Sequence, residues 1–230
     1  MRSTRASVHR TSGDQATEDR TTKAKIRDAA LNRFAVDGIA ATSMRAVAAD
    51  AGVAPSHVMH YFRSKQGLRA ACDEFVAATL REQQEEVIGA GLDLDPLASL
   101  RRRQEGLPIL EYLARSLVEA SPSSDALVDH LVADSERYMA ALEANGMIQP
   151  SATPRTRAVL LTFWSLGQLA LHQQVERLLG VRMTAPEEGS AELAEYATAT
   201  LELLGPSLLT PALAERLTTL FAPPATEQES

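Results

Sequence analysis

Two stretches of the sequence have side chains that could bind or react, and the first surrounds residue 58. Ser56, His57 and His60 place hydrogen-bonding groups on a segment whose only clear core anchors are Val58 and Phe62. Because the segment has so little apolar surface, it is a poor candidate for burial on all sides. It is typical of a helix that presents its donors and acceptors to base edges in the major groove of DNA.

The second stretch is a row of aromatic and polar residues at spacings of 1, 4 and 4 on a later helix. Aromatic surface combined with a few oriented polar groups is the usual form of a small-molecule site. A packed core is the alternative for each of these residues taken alone. The candidate ligand site adds two tyrosines from neighbouring helices and consists of Tyr112, Tyr138, Phe163, Trp164, Gln168 and His172.

Catalytic and metal-binding patterns are missing from the sequence. It has no Gly-rich phosphate loop, no His-Glu-x-x-His pair and no cysteine cluster. His172 and Glu176 could share a metal ion, as could His57 and His60, but a zinc site usually needs three or more protein ligands. We interpret the first pair as a surface pair and the second as DNA contacts. We therefore expect no cofactor, no metal, no catalytic residue and no enzymatic activity.

The residues around Gly52 predict two short helices joined by a tight turn. An apolar stripe of helical period precedes Gly52, and either Thr42 or Ser43 can cap the start of that helix. Gly52 suits the left-handed conformation that a sharp reversal needs. Pro55 suits the first turn of the second helix, where no amide hydrogen is missed. This is the pattern of a helix-turn-helix motif.

Residues 26–68 resemble the DNA-binding domain of the tetracycline-repressor (TetR) family of bacterial regulators. Two positions depart from the family pattern: Ala54 replaces a frequent serine or threonine cap, and Met59 replaces a frequent phosphate-contacting tyrosine. Tyr61 and Lys65 are the alternative anchors. The residues that match the family are Ala29, Ala30, Phe34, Gly38, Thr42, Ser43, Arg45, Ala48, Ala51, Gly52, Val53, Val58, Tyr61, Phe62, Ser64, Lys65 and Leu68.

The resemblance implies a ligand-responsive repressor that acts as a homodimer on a palindromic operator. It also implies a lipophilic effector in a second domain and a role in efflux or in the response to lipophilic compounds. A regulator without an effector and a helical-bundle enzyme are the alternatives. We expect the DNA contacts to come from Thr42, Ser43, Arg45, Pro55, Ser56, His57, Met59, His60, Tyr61 and Lys65.

The distribution of charge supports a DNA-binding end. The 230 residues have a net charge of −7, yet residues 1–70 contain 12 Lys and Arg against 6 Asp and Glu, a balance of +6. Residues 71–230 contain 11 against 24, a balance of −13. Such asymmetry indicates a nucleic-acid-binding region. A basic tail that does not bind DNA is the alternative, and the helix-turn-helix pattern within the basic part argues against it.

The single cysteine and the lack of long apolar runs point to a cytoplasmic protein. Cys72 excludes an intramolecular disulfide, suits a reducing compartment and lies on an apolar helix face. We expect it to be a small buried hydrophobe. No apolar run approaches the roughly 20 residues that span a membrane.

Helical periodicity without any strand pattern predicts an all-α fold, with an N-terminal helix-turn-helix domain and a C-terminal helical domain for effector binding and dimerisation. The predicted parts are a disordered tail (1–20), the DNA-binding domain (21–67), the helical domain (68–222) and a second disordered tail (223–230). A single helix over 154–179, apolar nearly all round, must be buried on more than one side. Together with a helix over 191–204, it is expected to form the dimer interface. Periodicity and turn residues also predict helices over about 22–37, 124–145 and 211–221.

Overall fold

The structure, a computed structural model, describes residues 12–91, 108–119, 121–187 and 189–221, and side chains from Arg20 to Leu220 within those ranges. Their regular elements are α-helices, with one isolated bridge between Ile148 and Leu209, which confirms the all-α prediction. The helices are α1 (Ser12–Asp37), α2 (Met44–Asp50), α3 (Pro55–Phe62), α4 (Lys65–Ala90), α5 (Ile109–Val118), α6 (Pro122–Ala144), α7 (Pro154–Ala170), α8 (His172–Leu179), α9 (Ala191–Leu208) and α10 (Pro211–Phe221).

The chain divides into two compact units, Met1–Cys72 and Asp73–Ser230. The first unit contains α1, α2, α3 and the beginning of α4. Its core consists of apolar side chains that α1 to α4 place on their inner faces, since these residues recur at helical spacing. The buried members include Ile26, Ala30, Leu31, Phe34, Val47, Ala48, Val58, Phe62, Leu68 and Cys72.

An ion pair joins α1 to α2 at the surface of the first unit. The Arg33 guanidinium donates to both carboxylate oxygens of Asp50, at 2.5 and 3.1 Å, and to Asp37 at 3.0 Å. The hydrogen bonds from Arg33 hold the pKa of Asp50 below its usual value. Because the pair is exposed, its contribution to stability is small.

Two glycines fix the corners around α3. Gly52 has φ +65°, the left-handed conformation that ends α2. Gly67, in the first turn of α4, leaves no room for a side chain, because an added Cβ would lie 2.2 Å from the Phe62 carbonyl oxygen. The Ser64 hydroxyl accepts the Gly67 N–H at 3.0 Å and so satisfies one of the free amides of that turn.

Two apolar clusters lie among the described residues of the second unit. In the first, Leu113, Leu127 and Leu169 bring α5, α6 and α7 together. In the second, Leu142 and Leu213 belong to a cluster that joins the end of α6 to α10. These clusters position the surfaces of α4, α5, α6 and α7 that face one another in the second unit.

Several predicted helices differ in their bounds from the observed ones. The tail predicted as disordered over 1–20 is helical from Ser12, because elongating the helix nucleated farther along is cheaper than starting a new one. Residues 1–11 and the predicted tail 223–230 lie outside the described residues. The helix α6 begins at Pro122 with Ser121 as its cap, and α9 continues through Pro206 to Leu208.

The helix predicted over 154–179 is two helices that meet at Leu171. The Leu171 backbone has φ −99° and ψ 22°, outside the regular helical range, and its carbonyl accepts from the Gln174 N–H at 2.8 Å, three residues on. Uninterrupted apolar periodicity does not reveal such a local change in hydrogen bonding. Gly180, with φ +71°, then ends α8.

Two further predictions concern Cys72 and the membrane. Cys72 is a free, fully buried cysteine, which confirms its place in the core. Its Sγ lies 3.8 Å from the Arg27 carbonyl oxygen. No helix among the described residues is long and apolar enough to cross a membrane.

Candidate functional site

The helix α3 presents one side to the core of the first unit and the other to solvent. Val58 and Phe62 are buried, four residues apart, as the sequence predicts. Ser56, His57, Met59 and His60 are exposed, together with Pro55 at the start of the helix. The exposed side therefore offers two imidazoles and a hydroxyl, groups that can hydrogen-bond to base edges or phosphates.

The start of α3 lacks a capping side chain, whereas α2 is capped by Ser43. The sequence allowed either Thr42 or Ser43 to cap this helix. In the structure Ser43 is the cap, because its hydroxyl accepts the Ala46 N–H at 3.1 Å. The alternative, Thr42, is buried, and its hydroxyl donates to the Gly38 carbonyl at 2.8 Å. This bond occupies a hydroxyl that the sequence suggested for DNA contact. Ala54 caps α3 without a side-chain hydrogen bond.

The cationic residues near α3 differ in their freedom to contact phosphates. Arg45 is exposed and has no ion pair among the described residues. Lys65 is half-buried, and its Nζ donates to the Ala40 carbonyl at 2.7 Å, so it stabilises the unit as well as adding charge. Tyr61 is also half-buried, and its ring meets that of His60 edge-on at 5.2 Å between centroids.

A cavity of about 390 Å³ lies within the second unit, among α4, α5, α6 and α7. That volume is within the range of small-molecule sites. The lining is mainly apolar, with a few hydroxyl, amide and carboxylate groups. Its residues are Leu80, Gln83, Gln84, Val87, Leu110, Leu113, Leu131, Asp134, Ser135, Tyr138, Met139, Leu161, Thr162, Ser165, Leu166, Leu169 and Met183.

Among the described residues that line this cavity, one has an acidic side chain. The carboxylate of Asp134, which is only 5% exposed, accepts hydrogen bonds from Arg81 at 3.1 Å and from Arg137. Both of its oxygens therefore have a cationic partner. Such pairing is what allows a carboxylate to remain buried, since an isolated charge in an apolar site is very unfavourable.

Of the six residues predicted for the ligand site, the structure places one in the described lining of this cavity. Tyr138 lines the cavity, but its lining does not include the other five. Tyr112 is fully buried, and its hydroxyl donates to Asp73 at 2.6 Å. Phe163 and Trp164 are 53% and 44% exposed, respectively.

Gln168 and His172 make contacts within the second unit, and neither belongs to the described lining of the cavity. The Tyr196 hydroxyl donates to the Gln168 side-chain oxygen, and burial raises the pKa of Tyr196. His172 Nδ1 lies 3.0 Å from the Leu169 carbonyl oxygen. Their part of α7 and α8 therefore faces α9 and solvent.

The cavity uses the side of α7 opposite to Trp164. Its members on this helix include Thr162, Ser165, Leu166 and Leu169, at spacings i, i+3, i+4 and i+7. This spacing was the available signal in the sequence. The aromatic residues on the other face of α7 led the prediction to that face instead, because aromatic residues are also common in ligand sites.

The described part of the chain contains no cluster of potential metal ligands. No group of three or more His, Cys, Asp or Glu residues is placed there to hold a metal ion. His57 and His60 are exposed on α3, and His130 is exposed on α6.

Two family models match this chain, one within each unit. The model for "Bacterial regulatory proteins, tetR family" matches residues 26–72, and that for "Tetracyclin repressor-like, C-terminal domain" matches residues 104–210. The HTH-type transcriptional regulatory protein RaaS of Mycobacterium tuberculosis is 31% identical over 179 residues, which cover 78% of this chain and 81% of that protein.

Known structures are similar in fold at lower identity. SmeT, the repressor of the Stenotrophomonas maltophilia multidrug efflux pump SmeDEF, has a TM-score of 0.59 at 18% identity and covers 85% of this chain and 94% of its own. TylP, a TetR regulator from Streptomyces fradiae, has a TM-score of 0.58 at 21% identity, with 88% and 92% covered. A γ-butyrolactone receptor, ArpA-like, has a TM-score of 0.54 at 19% identity, with 90% and 96% covered.

Proposed function

This chain belongs to the TetR family of DNA-binding transcriptional regulators, and on that premise we propose that it is a ligand-responsive repressor that binds a palindromic operator as a homodimer. The exposed side of α3 is the observation on which the proposal rests. His57 and His60 present donors and acceptors there, while Val58 and Phe62 hold the helix in place. Base-edge contacts from this side would specify sequence, and phosphate contacts from the basic unit would fix register.

An apolar face on α7 supports the homodimer. Leu160, Phe163, Trp164 and Leu171 are exposed large hydrophobic residues that recur on one side of this helix and at its end. On α9, Leu203 is 67% exposed. Extended apolar patches on a protein surface mark interaction sites. A second copy of the chain would cover both faces through a twofold contact and would place two α3 helices about 34–36 Å apart, or at a multiple of that distance.

The cavity of the second unit supports regulation by a small molecule. An effector that fits only the conformation unable to bind DNA would shift the population away from the operator. The lining is mainly apolar, so the effector is lipophilic. One protein of similar fold, SmeT, represses a multidrug efflux pump, and we propose a target of that class here.

Selection of bound duplexes from a random DNA pool tests the proposal. We expect enrichment of a palindrome, and two chains bound to each duplex. In the double variant His57→Ala, His60→Ala the enriched sequence should change or disappear. The variant His130→Ala, which removes an exposed imidazole from α6, is the matched control and should select the wild-type palindrome. Failure of the wild type to enrich any sequence would contradict the proposal.

A further inference from the structure

Two polar side chains in the cavity of the second unit are buried without a partner. Thr162 Oγ1 and Gln83 Oε1 are shielded from solvent, and neither has a hydrogen bond within the described part of the chain. Both residues line the cavity, and Thr162 is only 9% exposed. A buried polar group without a hydrogen bond is unfavourable, so a native protein that keeps one usually has a reason. A ligand in the cavity would supply the missing partners.

The charges around the cavity restrict what that ligand can be. Among the described residues of the cavity lining, Asp134 is the one acidic or basic side chain, and Arg81 and Arg137 already pair with its carboxylate. A cationic ligand would have to compete with two guanidinium groups for this carboxylate. An anionic ligand would be buried against apolar side chains and close to a carboxylate. Either charge would lose its hydration without a free partner of opposite sign.

The hydrogen-bonding roles of the two free groups restrict it further. The Gln83 side-chain oxygen only accepts, whereas the Thr162 hydroxyl both donates and accepts. A hydroxyl or N–H group on the ligand can donate to Gln83, and an ether oxygen cannot. Either a hydroxyl oxygen or an ether oxygen on the ligand can accept a hydrogen bond from the Thr162 hydroxyl.

We propose that the effector is an uncharged, mainly apolar molecule with a hydroxyl or N–H group that binds between Gln83 and Thr162. The inference rests on the proposed function, since it takes this cavity to be the effector site. A volume of about 390 Å³ is more than twice the roughly 150 Å³ of an apolar cavity that holds benzene, so there is space for an elongated molecule.

Four probes with the same decyl chain separate the possible ligand chemistries: 1-decanol, decyl methyl ether, decanoate and decyltrimethylammonium. Their dissociation constants for the full-length protein are measured by calorimetry below the concentrations at which they form micelles. We expect 1-decanol to bind most tightly, by roughly three- to tenfold over the ether, the value of one hydrogen bond. Tightest binding by either charged probe, or no binding by 1-decanol, would overturn the proposal.

Two variants test the named groups. Gln83→Met should weaken the binding of 1-decanol, because it removes the acceptor for the hydroxyl group. The binding of the ether should not change. Thr162→Val should weaken the binding of both 1-decanol and decyl methyl ether. Without any ligand it should raise the melting temperature of the protein by about 2 °C or more, because it removes an unpaired buried hydroxyl. Thr156→Val, on an exposed position of α7, is the matched control and should alter neither affinity.

The outcomes also separate this proposal from the proposed function. Unchanged affinities and an unchanged melting temperature in Thr162→Val would show that the hydroxyl already has a partner and would overturn the proposed ligand chemistry. Operator binding is measured on the same samples. If it persists, the DNA-binding function stands without this effector. If 1-decanol binds in the expected order yet does not release the operator, the ligand chemistry stands and the regulatory part of the function fails.

Discussion

At the scale of single residues, the exposed side of α3 and the residues beside it have separate tasks. His57 and His60 are exposed on α3 and are the residues that we propose for base contacts, whereas Arg45 lies on α2, exposed and without an ion pair among the described residues. Groups that contact bases determine sequence preference, and groups that contact phosphates determine affinity for any sequence.

Replacement of His57 should therefore affect specificity more than the fold. We expect His57→Ala to reduce discrimination at one base pair by about 1–3 kcal/mol, the value of a good base contact. Arg45→Ala should instead weaken all duplexes and reduce the salt slope by about one. Fluorescence anisotropy with the selected palindrome and its single-base variants measures both. Unaltered base preference in His57→Ala would mean that another side of the helix faces DNA.

The cap of α2 gives a stability prediction at the same scale. Ser43→Ala removes the hydroxyl that accepts the Ala46 N–H and should lower the free energy of unfolding by about 1 kcal/mol. Ser56→Ala removes an exposed hydroxyl from α3 and is the matched control, with an expected change close to zero. Urea titrations followed by circular dichroism measure the difference. Equal midpoints for the two variants would refute a capping role.

The buried and exposed sides of α3 could be predicted from the sequence, whereas of the cavity lining only Tyr138 was among the predicted residues. On α3 the buried and exposed positions could be told apart in the sequence, because polar side chains outnumber the apolar anchors Val58 and Phe62. On α7 both faces contain apolar residues, so composition does not tell a cavity from an interface. Trp164 is half-exposed on one face, and Thr162 lines the cavity on the other.

At the scale of elements, the start of α4 is a corner where the backbone leaves no room for a larger side chain. Gly67→Ala would place a Cβ 2.2 Å from the Phe62 carbonyl oxygen, so the backbone would have to move. We expect a loss of at least about 2 kcal/mol in the free energy of unfolding, in the range of strained backbone sites.

Gly89→Ala, in the same helix, is the matched control. Nothing lies within 4 Å of an added Cβ there, so alanine should stabilise the helix by about 0.4–1 kcal/mol. Opposite signs for the two substitutions, measured by thermal unfolding, would support the close packing at the corner. A neutral Gly67→Ala would contradict it.

A cap or a proline marks some helix bounds that were predicted well, but the start of α6 was predicted at residue 124 although Ser121 and Pro122 mark it. The helix over Pro211–Phe221 was predicted as it is observed, and Pro154 and Gly180 mark the two ends of the segment divided at Leu171. The division itself has no marker in the sequence, because no glycine or proline stands at Leu171. The extension of α1 to Ser12 likewise depends on propagation from a folded segment.

At the scale of the whole molecule, the apolar face of α7 should hold two chains together. Trp164→Glu places a charge at the centre of that face and should convert the dimer to a monomer at micromolar concentration, because the interface would bury an unpaired carboxylate. Val118→Glu, on an exposed apolar position of α5, is the matched control and should leave the dimer intact. Sedimentation velocity distinguishes the two. A wild-type monomer at that concentration would refute dimerisation.

Specific DNA binding by an acidic protein is the central claim, and a salt series on the selected palindrome tests it most directly. The affinity of the wild type is measured by anisotropy at several salt concentrations, with stoichiometry determined at the lowest. We expect two chains per duplex and a logarithmic slope of about −0.9 for each neutralised phosphate, because the basic first unit releases counterions from the DNA. A salt-independent interaction, or no preference for the palindrome over an unrelated duplex, would contradict the claim.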